Sequence, residues 1–285
     1  MKLGILGGTF NPIHNGHLSI AEDARDIFDF DSVVFIPAKT PPLKGGPDQI
    51  SPDVRYKIVK AAIEGIDRFE ISDIEFKIEG PSYSVLTMQQ LAKERGLSPK
   101  DLYFILGVDA FLNIHKWWSY KELFKLSNFI LVSRAGIETD FDKINTIAQD
   151  LGFCYNKDVA SNLKESQDHD DSQPTTPDKT SEISEAYDSN QLPSKKSYTD
   201  HTNKCRSSNL CGHQNNIKQN SQKGNLSRML KVYSNNSHLN LFIIKTRPVL
   251  VSSTDIRKRI ANGESIDDLV PKPVSNLIME EYTTA

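Results

Sequence analysis

Cysteine is scarce in this chain, and long apolar runs are missing. Its 285 residues include three cysteines, Cys154, Cys205 and Cys211. An odd count without paired spacing offers no disulfide framework and suits a reducing cytoplasm. No apolar stretch approaches the ~20 residues that a membrane-spanning helix needs. A surplus of one charge is lacking too. The formal net charge of -3 speaks against broad nucleic-acid binding, although a small basic pocket could sit beneath that average. The first residues do not show the basic, apolar and small-residue succession of a secretory signal. These absences lead us to expect a cytoplasmic protein with neither nucleic acid nor membrane as partner. The length allows one large α/β domain or two modest ones.

What is present is alternation. Leu3–Leu6, Val33–Ile36, Leu102–Leu106 and Phe129–Val132 are short apolar runs, as expected of strands buried on both faces. Between them lie helical patterns at Gly16–Phe28, Pro52–Glu64, Ser84–Arg95 and Tyr120–Leu126; in the first, Leu18, Ala21, Ala24 and Phe28 recur with helical spacing. Strand and helix in turn imply an α/β fold with a doubly wound, mainly parallel sheet. From about Lys157 to Asn236 the chain turns to Ser, Asn, Asp, Lys, Gln and Thr. Such a composition buries too little apolar area to offset its ordering entropy, and disorder is the expectation there. His238–Thr246 is strand-like again, "SSTDIRKRIANG" reads as a capped helix ending at Gly263, and a last helix covers Pro273–Glu280. We therefore expect one domain over 1–285, with a long low-complexity insertion at about 157–236 before the last strand.

The stretch "GGTFNPIHNGHL", Gly7 to Leu18, follows the first strand. Gly7 and Gly8 let the backbone approach a ligand closely and take positive φ where a turn requires it. A helix starts near Gly16, so its N–H groups and positive dipole end open into the same space, which suits a phosphate. His14 falls just before that helix and His17 in its first turn, so both imidazoles can converge on one anion, and Gly16 between them leaves room for a nucleotide. Two donors aimed at non-bridging oxygens serve displacement at phosphorus without either being a nucleophile. The stretch has neither G-x-G-x-x-G spacing nor the terminal lysine of a P-loop, and no third ligand stands nearby to make the histidines a metal pair.

A second cluster, "SSTDIRKRI" (Ser252–Ile260), lies shortly after the late strand. Ser252, Ser253 and Thr254 are good N-caps and Asp255 suits a first helical turn. Arg257 lies about one turn in, and a guanidinium matches a departing pyrophosphate. Two such strand-to-helix turns in one parallel sheet open on the same carboxyl edge, where ligands of these sheets bind.

At this point the residues resemble a family. "GGTFNPIHNGHL" is similar to the T/H-x-G-H signature of the nucleotidylyltransferase superfamily, and "SSTDIR" to its I-S-S-T-x-I-R counterpart. "IPAKTPPLK" (Ile36–Lys44), "GPSYS" (Gly80–Ser84), "FILGVDAF" (Phe104–Phe111), "KWWSY" (Lys116–Tyr120) and "LVSRAG" (Leu131–Gly136), in that order, resemble bacterial nicotinate-nucleotide adenylyltransferases. The likeness covers about residues 1–150 and 238–280 and implies a Rossmann-like fold. It implies transfer of adenylyl from ATP to nicotinate mononucleotide, giving nicotinate adenine dinucleotide and pyrophosphate in NAD biosynthesis, with Mg²⁺ accompanying ATP. By that resemblance His14, His17 and Arg257 would be catalytic. Gly7, Gly8, Thr9, Phe10, Gly16, Gly107, Asp109, Ser253 and Thr254 would bind ATP. Gly107 and Asp109 match a G-x-D that contacts ribose, and Ser253 and Thr254 would join Arg257 on the β and γ groups. Lys44, Ser84 and Trp117 would receive the acceptor, Trp117 by stacking on the pyridine ring, as a cation favours an aromatic face. The chain departs from the family where it has Asn11 for Asp, Leu43 for His, Ser84 for Thr and Ala135 for Pro.

The insertion holds His201, Cys205, Cys211 and His213. Their spacing lacks the paired C-x₂-C or H-x₃-H of common structural sites, so no metal site is assigned to the chain. A transferase for another phosphate acceptor, such as phosphopantetheine, fits less well, since such an acceptor has no ring for Trp117. A silent nucleotide-binding scaffold would not need His14, His17 and Arg257 together. The residues leave open the choice between nicotinate and nicotinamide, and between monomer and homo-oligomer.

Overall fold

The computed structural model describes residues 1–42, 50–133, 139–156 and 228–283. Among these residues eight strands form one sheet: β1 (Leu3–Gly8), β2 (Ser32–Pro37), β3 (Phe69–Ile71), β4 (Leu102–Gly107), β5 (Asn128–Ser133), β6 (Phe153–Tyr155), β7 (Met229–Asn235) and β8 (Asn240–Lys245). Their order is β3-β2-β1-β4-β5-β8-β7-β6. Pairing is parallel from β3 to β8, and β7 and β6 add an antiparallel edge. The described helices are α1 (Asn15–Phe28), α2 (Pro52–Ile63), α3 (Ile74–Lys77), α4 (Ser84–Arg95), α5 (Val108–Leu112), α6 (Tyr120–Leu123), α7 (Phe141–Asp150), α8 (Ser253–Ala261) and α9 (Ser275–Thr283).

The apolar runs are continuous because both faces of the sheet are covered. On one face Val33, Phe35, Ile105, Ile130 and Val132 pack with Ala21 and Ala24 of α1, Ile58 and Val59 of α2, and Ile256 of α8. On the other, Val34, Ile36, Phe104, Phe129 and Leu131 pack with Val85 and Met88 of α4 and Ile144 of α7. Neighbouring residues of a strand thus serve opposite cores, as the pleat dictates. Between β1 and β4 the strand order reverses, and the helices that follow these strands leave to opposite faces. That opens a crevice at their carboxyl ends.

The main strands run one or two residues beyond the apolar runs, and helix α4 has the expected bounds. The helix expected to Leu126 ends at Leu123, and its remainder is turn. The last helix begins after a 3₁₀ turn at Lys272–Val274 and reaches Thr283. A larger difference lies at the end of the polar stretch. Residues 229–235, inside the span expected to be disordered, form β7, because Met229, Val232 and Tyr233 enter the two cores. Two strands therefore follow the insertion. The rest of that stretch, with His201, Cys205, Cys211 and His213, lies outside the described residues.

One buried carboxylate ties α1 to the connection between β8 and α8. Asp23 on α1 is 2% exposed. It accepts from Arg247 Nε at 2.7 Å, from the Arg247 backbone N–H at 2.8 Å and from Arg228 Nη1 at 2.6 Å. Both arginines remain partly in solvent, which lowers the worth of the cluster below the ~3–5 kcal/mol of a fully buried pair. We expect Asp23→Ala to reduce unfolding stability by about 2 kcal/mol in urea titration. An unchanged midpoint would show that the cluster adds nothing.

Candidate active site

Helix α1 begins with His14 as its N-cap and His17 three residues on. Their imidazoles stack, with centroids 3.7 Å apart and planes 26° from parallel. The His14 backbone N–H donates to His17 Nδ1 at 3.3 Å. Because a backbone N–H can only donate, Nδ1 is the unprotonated nitrogen, and the neutral ring carries its proton on Nε2, away from the backbone. Phe10 packs edge-on against His17 at 5.0 Å. At Gly16 a Cβ would stand 3.1 Å from both His14 Nδ1 and Val251 Cγ1. Glycine there lets the connection into α8 close against His14.

The turn between β1 and α1 is not built on glycine conformations. Gly7 and Gly8 end β1, and the residue with positive φ is Phe10, at 47°. That is strained for a bulky residue, and the ring is anchored in the core at 3% exposure. Phe10 can therefore meet a ligand only through its backbone.

Four carbonyls of this turn are bonded to other parts of the protein. Gly8 O accepts from the Ala38 N–H at 2.8 Å, Thr9 O from Arg55 Nη1 at 2.6 Å, Asn11 O from Arg257 Nη1 at 2.8 Å, and Pro12 O from Ser253 Oγ at 2.9 Å. In a planar trans peptide the C=O and the following N–H point in opposite directions. The Thr9 and Phe10 N–H groups are therefore turned away from Ala38 and from buried Arg55. Tyr282 Oη bonds Asn11 Oδ1 at 2.5 Å. Burial pushes the Tyr282 phenol far above its usual range, against the pull of Arg257 and Arg55, so it stays a donor. Neither Arg55 nor Tyr282 was marked by the sequence, where they read as an ordinary helical arginine and a terminal tyrosine.

Helix α8 brings the second cluster to this turn. Ser252 is its N-cap and accepts from the Asp255 N–H at 3.1 Å. The Ser253 hydroxyl and the Arg257 guanidinium are engaged on Pro12 and Asn11, while Thr254 is exposed. The two motifs, more than two hundred residues apart, thus meet directly. A recess beside them is lined by His14, Gly16, Ile20, Thr246, Arg247 and Val249. Ile20, Thr246 and Val249 carried no signal in the sequence, being ordinary core and loop types.

Across the crevice, Gly107 ends β4 and Asp109 follows it, exposed, on α5. A Cβ on Gly107 would fall 2.3 Å from Asp109 Oδ1, so with any other residue there the exposed carboxylate would have to swing aside. Ser84 opens α4, whose N-cap Tyr83 gives no side-chain cap. The Tyr83 ring lies 4.9 Å from Trp118, which is 54% exposed. Trp117 is half-buried and edge-on to Phe104 at 6.4 Å. Lys44 lies outside the described residues, as do Leu43, Ala135 and Gly136.

Glu75 on α3 is buried beside the "GPSYS" turn and accepts from Thr87 Oγ1 at 2.8 Å. Burial raises its carboxyl above the usual 4.5, and hydrogen bonds from Ser82 and Thr87 oppose that only in part. The folded state therefore holds this proton more tightly than the unfolded state. Stability falls as pH rises from 4.5 through the raised value, and the loss is complete above it. Glu75→Gln keeps an acceptor for Thr87 and should raise Tm by a few degrees at pH 7 while changing little at pH 4. Calorimetry at both pH values checks this; an equal shift at both would contradict it.

The cytidylyltransferase-like family model matches residues 5–259, which includes both motifs. The "Probable nicotinate-nucleotide adenylyltransferase" of Geotalea daltonii is 46% identical over 156 residues, covering 54% of this chain and 71% of that protein. The protein of the same name from Geobacter sp. strain M21 is 45% identical over 164 residues, 57% of this chain and 74% of its own. Among solved structures, the Plasmodium falciparum nicotinic acid mononucleotide adenylyltransferase complexed with NaAD aligns with 50% of this chain and 69% of its own, at 15% identity and a TM-score of 0.43. No helix among the described residues is long and apolar enough to cross a membrane. The chain belongs to the cytidylyltransferase-like family, and within it to the nicotinate-nucleotide adenylyltransferases.

Proposed function

We propose that this chain transfers the adenylyl group of ATP to nicotinate mononucleotide in NAD biosynthesis, in the cytoplasm. The observation that carries the reading is the interlock of the two motifs: Arg257 and Ser253 hold the carbonyls of Asn11 and Pro12. It gathers the start of α1, the start of α8 and two imidazoles around one space. A 5′-phosphate oxygen of the acceptor attacks the α-phosphorus of ATP in line. The new P–O bond forms as the bond to the α,β-bridging oxygen breaks, and that oxygen leaves on pyrophosphate.

On this reading the protein positions groups and stabilises charge. The Thr9 and Phe10 N–H groups and the Gly16 end of α1 receive phosphate oxygens, with Gly7 and Gly8 leaving room. His17 Nε2–H donates to the α-phosphate beside His14. Arg257, with Thr254 and Ser253 at the start of α8, meets the charge that builds on the leaving pyrophosphate. Gly107 and Asp109 take ribose hydroxyls. Mg²⁺ accompanying ATP would offset the charge of its phosphates; among the described residues no group of three or more His, Cys, Asp and Glu is arranged to hold a metal. Ser84 and the uncapped start of α4 suit the nicotinate carboxylate, the Trp117 face its ring, and Lys44 its phosphate. The two chain ends that supply β1–β6 and β7–β8 make one domain interrupted by the insertion.

The purified protein with ATP, Mg²⁺ and nicotinate mononucleotide should release pyrophosphate in a coupled phosphate assay. His17→Ala should lower kcat by about 10²–10³, the usual cost of losing one preorganised donor. Release with phosphopantetheine but not with nicotinate mononucleotide would overturn the choice of acceptor. Nicotinamide mononucleotide should be the poorer acceptor, because it brings no carboxylate to α4.

A further inference from the structure

Arg55 lies on α2, outside both motifs, and its side chain is 0% exposed. Burial draws its guanidinium below the usual arginine range, so keeping it there is costly. What it does with its donors is specific. Nη1 bonds Thr9 O at 2.6 Å, Nη2 bonds Lys39 O at 3.3 Å, and Nε bonds Ile50 O at 3.3 Å. Thr9 belongs to the turn assigned above to ATP. Lys39 and Ile50 lie on either side of the segment containing Lys44, between β2 and α2. An apolar residue could fill the same volume but would leave three carbonyls without this donor.

From Lys39 the connection continues toward the acceptor side. The Thr40 N–H donates to Ser82 Oγ at 3.0 Å, and the Ser82 N–H returns to Thr40 O at 2.9 Å. Ser82 leads through Tyr83 into Ser84 and α4. One rigid, planar fork therefore joins the turn under the ATP phosphates to the loops that face the acceptor. Thr9 and Lys39 thus share one guanidinium, and Lys39 adjoins the pair Thr40–Ser82.

We propose that Arg55 is a positioning residue that couples the two nucleotide sites, so that filling one tightens the other. The naming of the two sites rests on the reading in the previous section. Arg55 touches neither substrate. It sets the relative placement of the loops that do, and in-line attack depends on that placement. Lysine in its place would keep the charge but, as a point donor, could not span three carbonyls in one plane.

The test is the binding of α,β-methylene-ATP by calorimetry, with and without nicotinate mononucleotide. In the wild-type protein the acceptor should tighten the analogue by about fivefold or more. Arg55→Lys should still melt cooperatively and bind each nucleotide, with the coupling factor falling toward one. A general loss of structure would instead reduce the active fraction and leave the coupling of the folded fraction intact. Wild-type coupling in Arg55→Lys, or no coupling in the wild type, would overturn the proposal. If the variant does not fold, the wild type still decides: the analogue alone should slow amide exchange at Thr40, and unchanged exchange there would overturn it. Coupled binding without pyrophosphate release would sink the proposed reaction but not this role. Release without coupling would do the reverse.

Discussion

The turn after β1 is held by four donors that reach its carbonyl oxygens from three separate parts of the chain: Ala38 after β2, Arg55 on α2, and Ser253 and Arg257 on α8. Each donor comes from an element already fixed by the apolar packing of the sheet. The turn itself needs no glycine geometry to keep its shape, and it tolerates Phe10 at a φ of 47° because the ring is locked in the core. Once the carbonyls are committed to the protein, peptide planarity sends the Thr9 and Phe10 N–H groups the other way. The turn's outward N–H groups follow from the bonding of its rear side.

The charges agree with that arrangement. Two guanidiniums, Arg55 and Arg257, bond the turn, and the start of α1 adds its dipole. The His14 backbone N–H occupies His17 Nδ1, which leaves Nε2 as that ring's outward donor. Tyr282 stays protonated and spends its proton on Asn11. The Asn11 oxygen accepts that bond without adding negative charge beside the turn. Asp23 is the counterweight, a buried anion that holds the segment leading into α8 against α1.

The parts of the fold that follow from periodicity were legible in the sequence. The runs at Val33–Ile36 and Phe129–Val132 are central strands because nothing but burial on both faces explains them. His14 and His17 were legible through spacing, and their link to Arg257 through the parallel sheet's common edge. β7 was not, because its apolar residues are interrupted by Lys231, end at Tyr233 and adjoin a long polar stretch. Arg55, Asp23 and Tyr282 were invisible for another reason: each acts on backbone or side chains distant in sequence, and no local pattern marks a charge destined for burial. Trp117 and Trp118 could be separated only in three dimensions, where one packs on Phe104 and the other remains largely exposed.

The central claim is that the turn after β1 receives ATP phosphates through backbone N–H groups turned outward by its bonded carbonyls. Amide ¹H–¹⁵N shifts of the full-length protein on titration with Mg²⁺ and ATP test it most directly. The account predicts that the largest downfield shifts fall on Thr9, Phe10 and Gly16. Saturable binding that leaves these three amides unmoved would contradict it.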